Sequence, residues 1–299
     1  MLLESFKNSV RTSQINCSTL NLDDLRKLFE IVKNQNEESK KYQLDYIDDV
    51  HLKLPDSHSQ EEINEVKKVV NDKYIVGIEI FSTKGHYFRT FNPDEAFDKN
   101  KIPDDITKII ISNTIVFNLD KQLVQPYKII VDLDFYRTTL LDLISNPSHE
   151  TYNPSKVEIW GLSETWVDGV HNKLLKFLKE RENKRYWLHR KNIYDIFIWL
   201  IVIPIIFWNL YKIDYWLQQK FSQLSSVLTV FSYIYTFIFG LILFNLFFKY
   251  MRRSFPPMEL KSNLHSKGKI IRTIIITVAS AIGIKYLIEI TDGLIRLLL

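Results

Sequence analysis

The basic segment Lys184-Arg185-Tyr186-Trp187-Leu188-His189-Arg190-Lys191 runs directly into the apolar stretch Ile193–Leu210, IYDIFIWLIVIPIIFWNL, whose single acidic residue is Asp195. A second apolar stretch, Leu224–Phe248, has no charged residue in 25 positions. An α-helix rises 1.5 Å per residue and bilayer hydrocarbon is about 30 Å thick, so roughly 20 apolar residues span it. Both stretches are close to that length. The sequence therefore predicts a membrane region that begins near residue 193.

The charge of the chain divides at the same place. Residues 1–183 contain 24 Lys and Arg against 30 Asp and Glu, whereas residues 184–299 contain 15 against 5. The basic excess flanks the apolar stretches, as in membrane proteins, so we expect the lipid bilayer as a partner and no nucleic acid. Cys17 is the only cysteine. It excludes an intrachain disulfide and fits a reducing cytosol for the first part.

Lys and Arg near the ends of the apolar stretches predict their orientation. Four precede the first stretch and three follow the second: Lys184, Arg185, Arg190 and Lys191, then Lys249, Arg252 and Arg253. The intervening loop, 211–223, has two lysines. Because such residues stay in the cytoplasm, we expect both outer flanks there and the loop outside. The predicted protein is a multi-pass protein of the inner (cell) membrane with a cytoplasmic N-terminal domain.

The C-terminal segment predicts a third membrane helix at 271–290, either spanning the bilayer or lying at its surface. Lys285, Glu289, Asp292 and Arg296 are spaced four, three and four apart, which places them on one helical face. One interpretation is a solvated face with two ion pairs, Lys285–Glu289 and Asp292–Arg296. The other is a polar stripe within the membrane that contacts other helices or a pore. The sequence leaves both open.

Residues 1–162 show the pattern of an α+β domain, a mostly antiparallel sheet flanked by helices. Asn21 can cap a helix over Leu22–Ile47, and Ser59 with Glu62 forms a capping box for a second helix. From Tyr74 onward the apolar residues alternate with period two. The predicted strands are Tyr74–Phe81, His86–Phe91, Lys108–Ile111, Thr114–Asn118, Tyr127–Phe135 and Lys156–Trp160.

A helix that begins after Ser163 carries Trp166, Val170 and Leu174 on one stripe. From Val170 to Ile203 the chain has neither proline nor glycine. We therefore predict a continuous helical stalk at 163–192. It would join the cytosolic domain, 1–162, to the transmembrane region, 193–299.

Asp132 and Asp134 are the weak candidates for catalysis. Carboxylates two positions apart on a strand point the same way and could hold Mg²⁺. The sequence Asp132-Leu133-Asp134 resembles the first motif of haloacid-dehalogenase-type phosphatases, but Tyr136 stands where those enzymes have Thr or Val. A half-exposed strand gives the same alternation without a metal. We expect no enzyme activity, no cofactor and no metal site.

The layout of a soluble domain followed by a few membrane helices is similar to that of bacterial membrane effectors of antiphage abortive infection. The similarity implies a cytosolic domain that senses a protein partner or ligand, and helices that assemble as a homo-oligomer and perturb the bilayer. Two alternatives remain. One is a passive anchor or scaffold for a cytosolic partner, and the other is a membrane-tethered phosphoester enzyme that uses Asp132 and Asp134.

Overall fold

The computed structural model describes most of the chain: residues 9–53, 59–103, 105–119, 125–137, 147–220, 226–261 and the single positions 273, 274, 277, 285, 286 and 289. The chain forms two compact units. The first consists of Met1–Arg137, Tyr152–Tyr186 and Pro257–Asn263. The second consists of Thr138–Thr151, Trp187–Pro256 and Leu264–Leu299.

The first unit contains a six-stranded sheet in which every neighbouring pair is antiparallel. The strand order is β1-β7-β6-β5-β3-β4. The bounds are β1 (Ser9–Gln14), β3 (Gly77–Ser82), β4 (Tyr87–Thr90), β5 (Ile106–Ser112), β6 (Lys128–Asp134) and β7 (Lys156–Gly161). A separate parallel pair joins β2 (Ser18–Leu20) to β8 (Met258–Leu260). The predicted α+β fold with an antiparallel sheet is confirmed.

The first unit has five described helices, most of which begin where the sequence supplies caps. They are α1 (Leu22–Lys53), α2 (Gln60–Lys73), α3 (Pro93–Ala96), α4 (Ile115–Leu119) and α5 (Glu164–Lys179). The Asn21 side chain accepts a hydrogen bond from the Asp24 amide at 2.7 Å, and the capping box of Ser59 and Glu62 is present. These bonds satisfy backbone donors that a helix leaves unpaired at its first turn.

One face of the sheet carries the core. Alternate side chains of the central strands are fully buried and pack with apolar residues of α1 and α5. The set includes Ile78, Ile80, Ile109, Ile111, Ile129, Val131, Leu133, Val157 and Ile159 from the sheet, and Leu25, Leu28, Val167, Val170 and Leu174 from the helices. The opposite face holds the intervening half-buried residues. The period-two pattern of the sequence therefore reports which face is covered.

The elements α4 and β1 are among those that differ from the sequence-based expectation. Thr114–Asn118, predicted as a strand, contains the start of the helix α4, because Ser112 and Asn113 turn the chain. The Ser112 hydroxyl accepts from the Thr114 amide at 2.9 Å, and the Asn113 side chain accepts from the Ile129 amide at 2.8 Å. The strand β1 was not predicted. Its sequence, SVRTSQ, is polar because it forms an edge of the sheet.

The predicted continuous stalk at 163–192 is wrong. The helix α5 ends at Lys179, and its apolar stripe belongs to the core of the first unit. Beyond it the chain is held by tertiary bonds: the Asn183 amide donates to the Cys17 carbonyl at 2.7 Å, and the Thr19 amide donates to the Arg181 carbonyl at 3.1 Å. A 3₁₀ helix follows at Lys184–His189. The first unit therefore extends past residue 162 to Tyr186.

The second unit contains two helices that are long and apolar enough to cross a membrane, Ile193–Asp214 and Ser226–Ser254. The first runs through α6 (Ile193–Phe197), a π-helical turn at Ile198–Val202 and α7 (Ile203–Lys220); the second is α8 (Ser226–Ser254). The wide turn lies directly before Pro204, whose ring would otherwise meet the carbonyl four residues earlier. Most of the predicted third helix, 271–290, lies outside the described residues, and the described positions within it are helical.

Candidate functional site

The helices of the second unit expose large apolar side chains over much of their length. Trp199 and Leu200 are 70% and 73% exposed, and α8 exposes a long series: Val227, Leu228, Val230, Phe231, Ile234, Tyr235, Ile238, Phe239, Ile242, Leu243, Leu246 and Phe247. A continuous apolar surface of this extent is unfavourable in water. Hydrocarbon is the environment that fits it.

The helices α7 and α8 pack closely around one glycine. A Cβ added at Gly240 would lie 2.8 Å from Cδ1 of Ile206, so a larger residue at this position would force the Ile206 side chain to shift. Nearby, the rings of Phe207 and Phe237 lie 6.2 Å apart. Small residues at contacts between membrane helices allow such close packing. Van der Waals contacts then stabilise the helix pair, because lipid provides no hydrophobic driving force for association.

A polar cluster lies between α7 and the C-terminal segment. The Glu289 carboxylate accepts a hydrogen bond from Trp208 Nε1 at 3.2 Å and forms an ion pair with Lys212 at 2.5 Å. One turn away, the Asn209 side chain donates to the Tyr286 hydroxyl at 3.0 Å and accepts from it at 3.1 Å. We call Trp208, Asn209, Lys212, Tyr286 and Glu289 the interhelical polar cluster.

The predicted polar stripe is only partly within the described residues. Glu289 pairs with Lys212 of α7, and Lys285 is exposed. Asp292 and Arg296 lie outside the described residues. The Glu289 contact is one that the interpretation of a stripe facing other helices predicts.

Sequence reasoning missed the partners of Glu289 on α7. Lys212 was predicted to lie in the loop 211–223, whereas α7 continues to Lys220. The available signal was the occurrence of Asn209 and Lys212, three positions apart on the same helical face, at the end of an apolar run.

A second cluster joins the segment before α6 to the end of α8. The Arg252 guanidinium donates to three backbone carbonyls, those of Leu188 at 3.1 Å, His149 at 2.9 Å and Arg190 at 3.3 Å. It also lies over the ring of Phe248, 4.9 Å from its centroid. These contacts hold the segment before α6 against the end of α8. All of them belong to the second unit.

His189 ties the same two segments together. Its Nε2 lies 2.7 Å from the Phe255 carbonyl, and its Nδ1 lies 3.0 Å from the Thr151 hydroxyl. The carbonyl can only accept, so we assign the ring proton to Nε2. Burial lowers the pKa of His189 to about 4, which keeps the ring neutral at physiological pH.

The basic residues that set the predicted orientation divide into two groups. Lys184, Arg185, Arg190 and Lys191 are exposed. On the other side, Lys249 and Arg252 are buried and Arg253 is half-buried. Arg252 therefore has a structural role that a count of charges could not reveal.

Asp132 and Asp134 lie on β6, on the sheet face opposite the core. Asp132 forms a 2.8 Å ion pair with Lys108 on the neighbouring strand, and Lys156 is its register partner on the other side. Burial raises the pKa of Asp134, and the Tyr136 amide donates to this carboxylate at 2.8 Å. The two carboxylates thus lie in a surface of alternating charges.

No group of three His, Cys, Asp or Glu side chains that could hold a metal occurs among the described residues. No protein-family model, curated protein or solved structure matches the chain. The functional argument therefore uses the chain's own geometry, in which the interhelical polar cluster is the candidate site.

Proposed function

We propose that this protein is a multi-pass inner-membrane effector. Its N-terminal α+β domain is cytoplasmic and senses a protein partner or a ligand, and its helices assemble as a homo-oligomer that perturbs the bilayer. The observation that carries the proposal is the interhelical polar cluster. It places an ion pair, Lys212–Glu289, on helices whose other surfaces are suited to lipid.

Ionisable groups are costly on membrane helices and usually mark a function there. Two apolar helices would anchor a domain without Lys212, Glu289 or the Asn209–Tyr286 pair. The same donors and acceptors can bond within one chain or between chains. Assembly that exchanges these partners would turn polar groups toward the centre of a bundle, which is how the proposed perturbation would arise.

The pairing of β2 with β8 supports the proposed topology. Met258–Leu260 follows α8 directly, and it aligns in parallel with Ser18–Leu20 in the first unit. The chain therefore leaves the first unit before α6 and returns to it after α8. If both helices span the bilayer, the chain crosses it twice between these points and returns to the side on which it started.

A passive anchor or scaffold is the second candidate, and one observation favours it. Glu289 is satisfied by Lys212 and Trp208 of the same chain, and Asp214 accepts a hydrogen bond from the Tyr233 hydroxyl. These polar groups need no second copy of the protein. In this case the cluster would only fix the packing of the helices.

Expression of the full chain in bacteria, with growth and membrane potential followed together, tests the two candidates. The effector depolarises the membrane, and Lys212→Met/Glu289→Leu removes this effect while the protein stays in the membrane fraction. Asp132→Ala/Asp134→Ala is the matched control and keeps the effect, because these residues are distant in sequence and belong to the other unit. A wild-type protein that is inserted but leaves the potential unchanged at every expression level contradicts the effector and favours the anchor.

A further inference from the structure

The segment Leu188–Asn192, which we call the basic loop, is held rigidly. The carbonyls of Leu188 and Arg190 accept from Arg252, and His189 contacts Phe255 and Thr151. The Asn192 amide donates to the Ser148 carbonyl at 2.9 Å, and Asn192 adopts a left-handed conformation with φ of 65°. The backbone of this loop is therefore fixed by contacts on both sides.

The rigid loop presents two adjacent cations. Arg190 and Lys191 are exposed, whereas Leu188 and His189 are buried. Asp195, an acidic residue close to them in sequence, accepts a hydrogen bond from the Ser148 hydroxyl at 2.6 Å. Because the backbone is already fixed, less conformational entropy is lost when a ligand binds these side chains.

The surroundings of the loop indicate lipid. Trp187, which precedes it, is exposed and stacks on Phe197 with ring centroids 5.9 Å apart. Trp199 and Leu200, two of the most exposed apolar side chains of the first membrane helix, follow Lys191 by eight and nine residues, or about 12–14 Å along a helix. Tryptophan is enriched at headgroup level, and a cation at that level meets lipid phosphate.

We propose that the basic loop binds the phosphate headgroup of an anionic phospholipid, such as phosphatidylglycerol, with Arg190 and Lys191 as its ligands and Arg252 as the residue that positions them. A guanidinium can bind phosphate oxygens through two parallel hydrogen bonds, and the ammonium adds a second charge. The inference rests on the membrane location in the proposed function, and it adds a lipid class that this location alone does not specify.

The test uses the full chain in nanodiscs of phosphatidylcholine alone or of an equal mixture with phosphatidylglycerol. Native mass spectrometry counts the retained lipids, and thermal unfolding gives the stabilisation. We expect wild type to retain phosphatidylglycerol selectively and to unfold at a higher temperature in the mixture. Arg190→Gln/Lys191→Gln should lower the selectivity by about tenfold or more, because each cation near an anionic surface contributes several-fold.

Lys184→Gln/Arg185→Gln is the matched control, with the same loss of charge six residues earlier. It should keep most of the selectivity if the loop is a built site. Arg252→Lys should reduce it, although no exposed charge is lost. Equal losses in the two double variants would mean diffuse attraction only and would overturn the inference, as would equal retention of both lipids by wild type. Inserted protein without selectivity refutes this inference alone, whereas a chain that stays soluble without detergent refutes the membrane function.

Discussion

Glu289 forms its ion pair with Lys212 of α7, 77 positions earlier in the chain, although Lys285 stands one helical turn away. The same carboxylate accepts the indole proton of Trp208. These contacts of Lys212 and Trp208 with Glu289 define which face of the C-terminal segment meets α7. The polar residues therefore specify a register between helices that apolar contacts leave undetermined.

The first prediction concerns this register. Glu289→Gln removes the charge but keeps an acceptor for Trp208, so it should lower the unfolding temperature in nanodiscs by a few degrees. The reversed pair, Lys212→Glu/Glu289→Lys, should be more stable than Lys212→Glu alone, because it keeps opposite charges at the same two positions. Thermal unfolding of both variants measures the effect. A reversed pair that is no more stable than Lys212→Glu alone would show that the contact does not stabilise the helices.

The second prediction uses the neutral ring of His189. Its pKa of about 4 in the folded protein lies below the usual value of 6.5, so the unfolded chain binds the proton more tightly. The contribution of His189 to stability is complete above pH 6.5 and is lost as the pH falls toward 4. Between pH 7.5 and pH 5 we expect a loss of about 2 kcal/mol from this group.

Chemical denaturation at the two pH values tests the assignment. His189→Gln should lower stability at pH 7.5 and remove most of the pH dependence, because an amide does not titrate there. His171→Gln is the comparison: burial also lowers the pKa of His171, but that ring is more exposed and forms a hydrogen bond with the Ser13 hydroxyl. A pH dependence that survives in His189→Gln contradicts the prediction.

The third prediction concerns Arg252. Its three carbonyl bonds need the forked geometry of a guanidinium, which an ammonium cannot reproduce. Arg252→Lys should therefore cost about 2–3 kcal/mol of unfolding free energy, because the ammonium cannot donate to all three carbonyls. Arg253→Lys, at the half-buried neighbouring position, should cost less than about 0.5 kcal/mol. Equal effects in denaturant titrations would contradict the structural role of Arg252.

The sequence predicted the sheet because one rule governs its central strands. In β6 the buried residues Ile129, Val131 and Leu133 alternate with half-buried ones, all but one of which are charged. The capping box of Ser59 and Glu62 was predictable for a similar reason, since it depends on residues three positions apart. Local patterns of this kind survive folding unchanged.

The errors arose where distant contacts decide the structure. No proline or glycine ends α5, yet the chain leaves the helix because the backbone at Arg181 and Asn183 pairs with the segment around Cys17, more than 160 positions earlier. The interhelical cluster has the same origin, since Asn209 and Tyr286 meet only after two helices pack. Spacing along one helix cannot identify such partners.

The fourth prediction concerns Asp132. Its ion pair with Lys108 is partly buried, so Asp132→Asn should cost about 1 kcal/mol of unfolding free energy and should leave the fold intact. The full chain should hydrolyse no phosphoester in the presence of Mg²⁺, because Lys108 binds one oxygen of the Asp132 carboxylate and offsets its charge. Metal-dependent hydrolysis that Asp132→Asn abolishes would refute this prediction and establish the enzyme alternative.

The last prediction concerns the orientation of the helices. Cys17 is buried, so a membrane-impermeant thiol reagent should label the native chain weakly, and single introduced cysteines can be read against a low background. In intact cells the reagent should label Gln218→Cys and should leave Ser262→Cys unlabelled until the membrane is opened. The reason is twofold. Lys and Arg precede the first helix and follow the second in sequence, and β8, which precedes Ser262 by two residues, pairs with β2 within the first unit. Labelling of Ser262→Cys in intact cells would invert the topology, whereas labelling of both positions would show that the two helices do not cross the membrane as a pair.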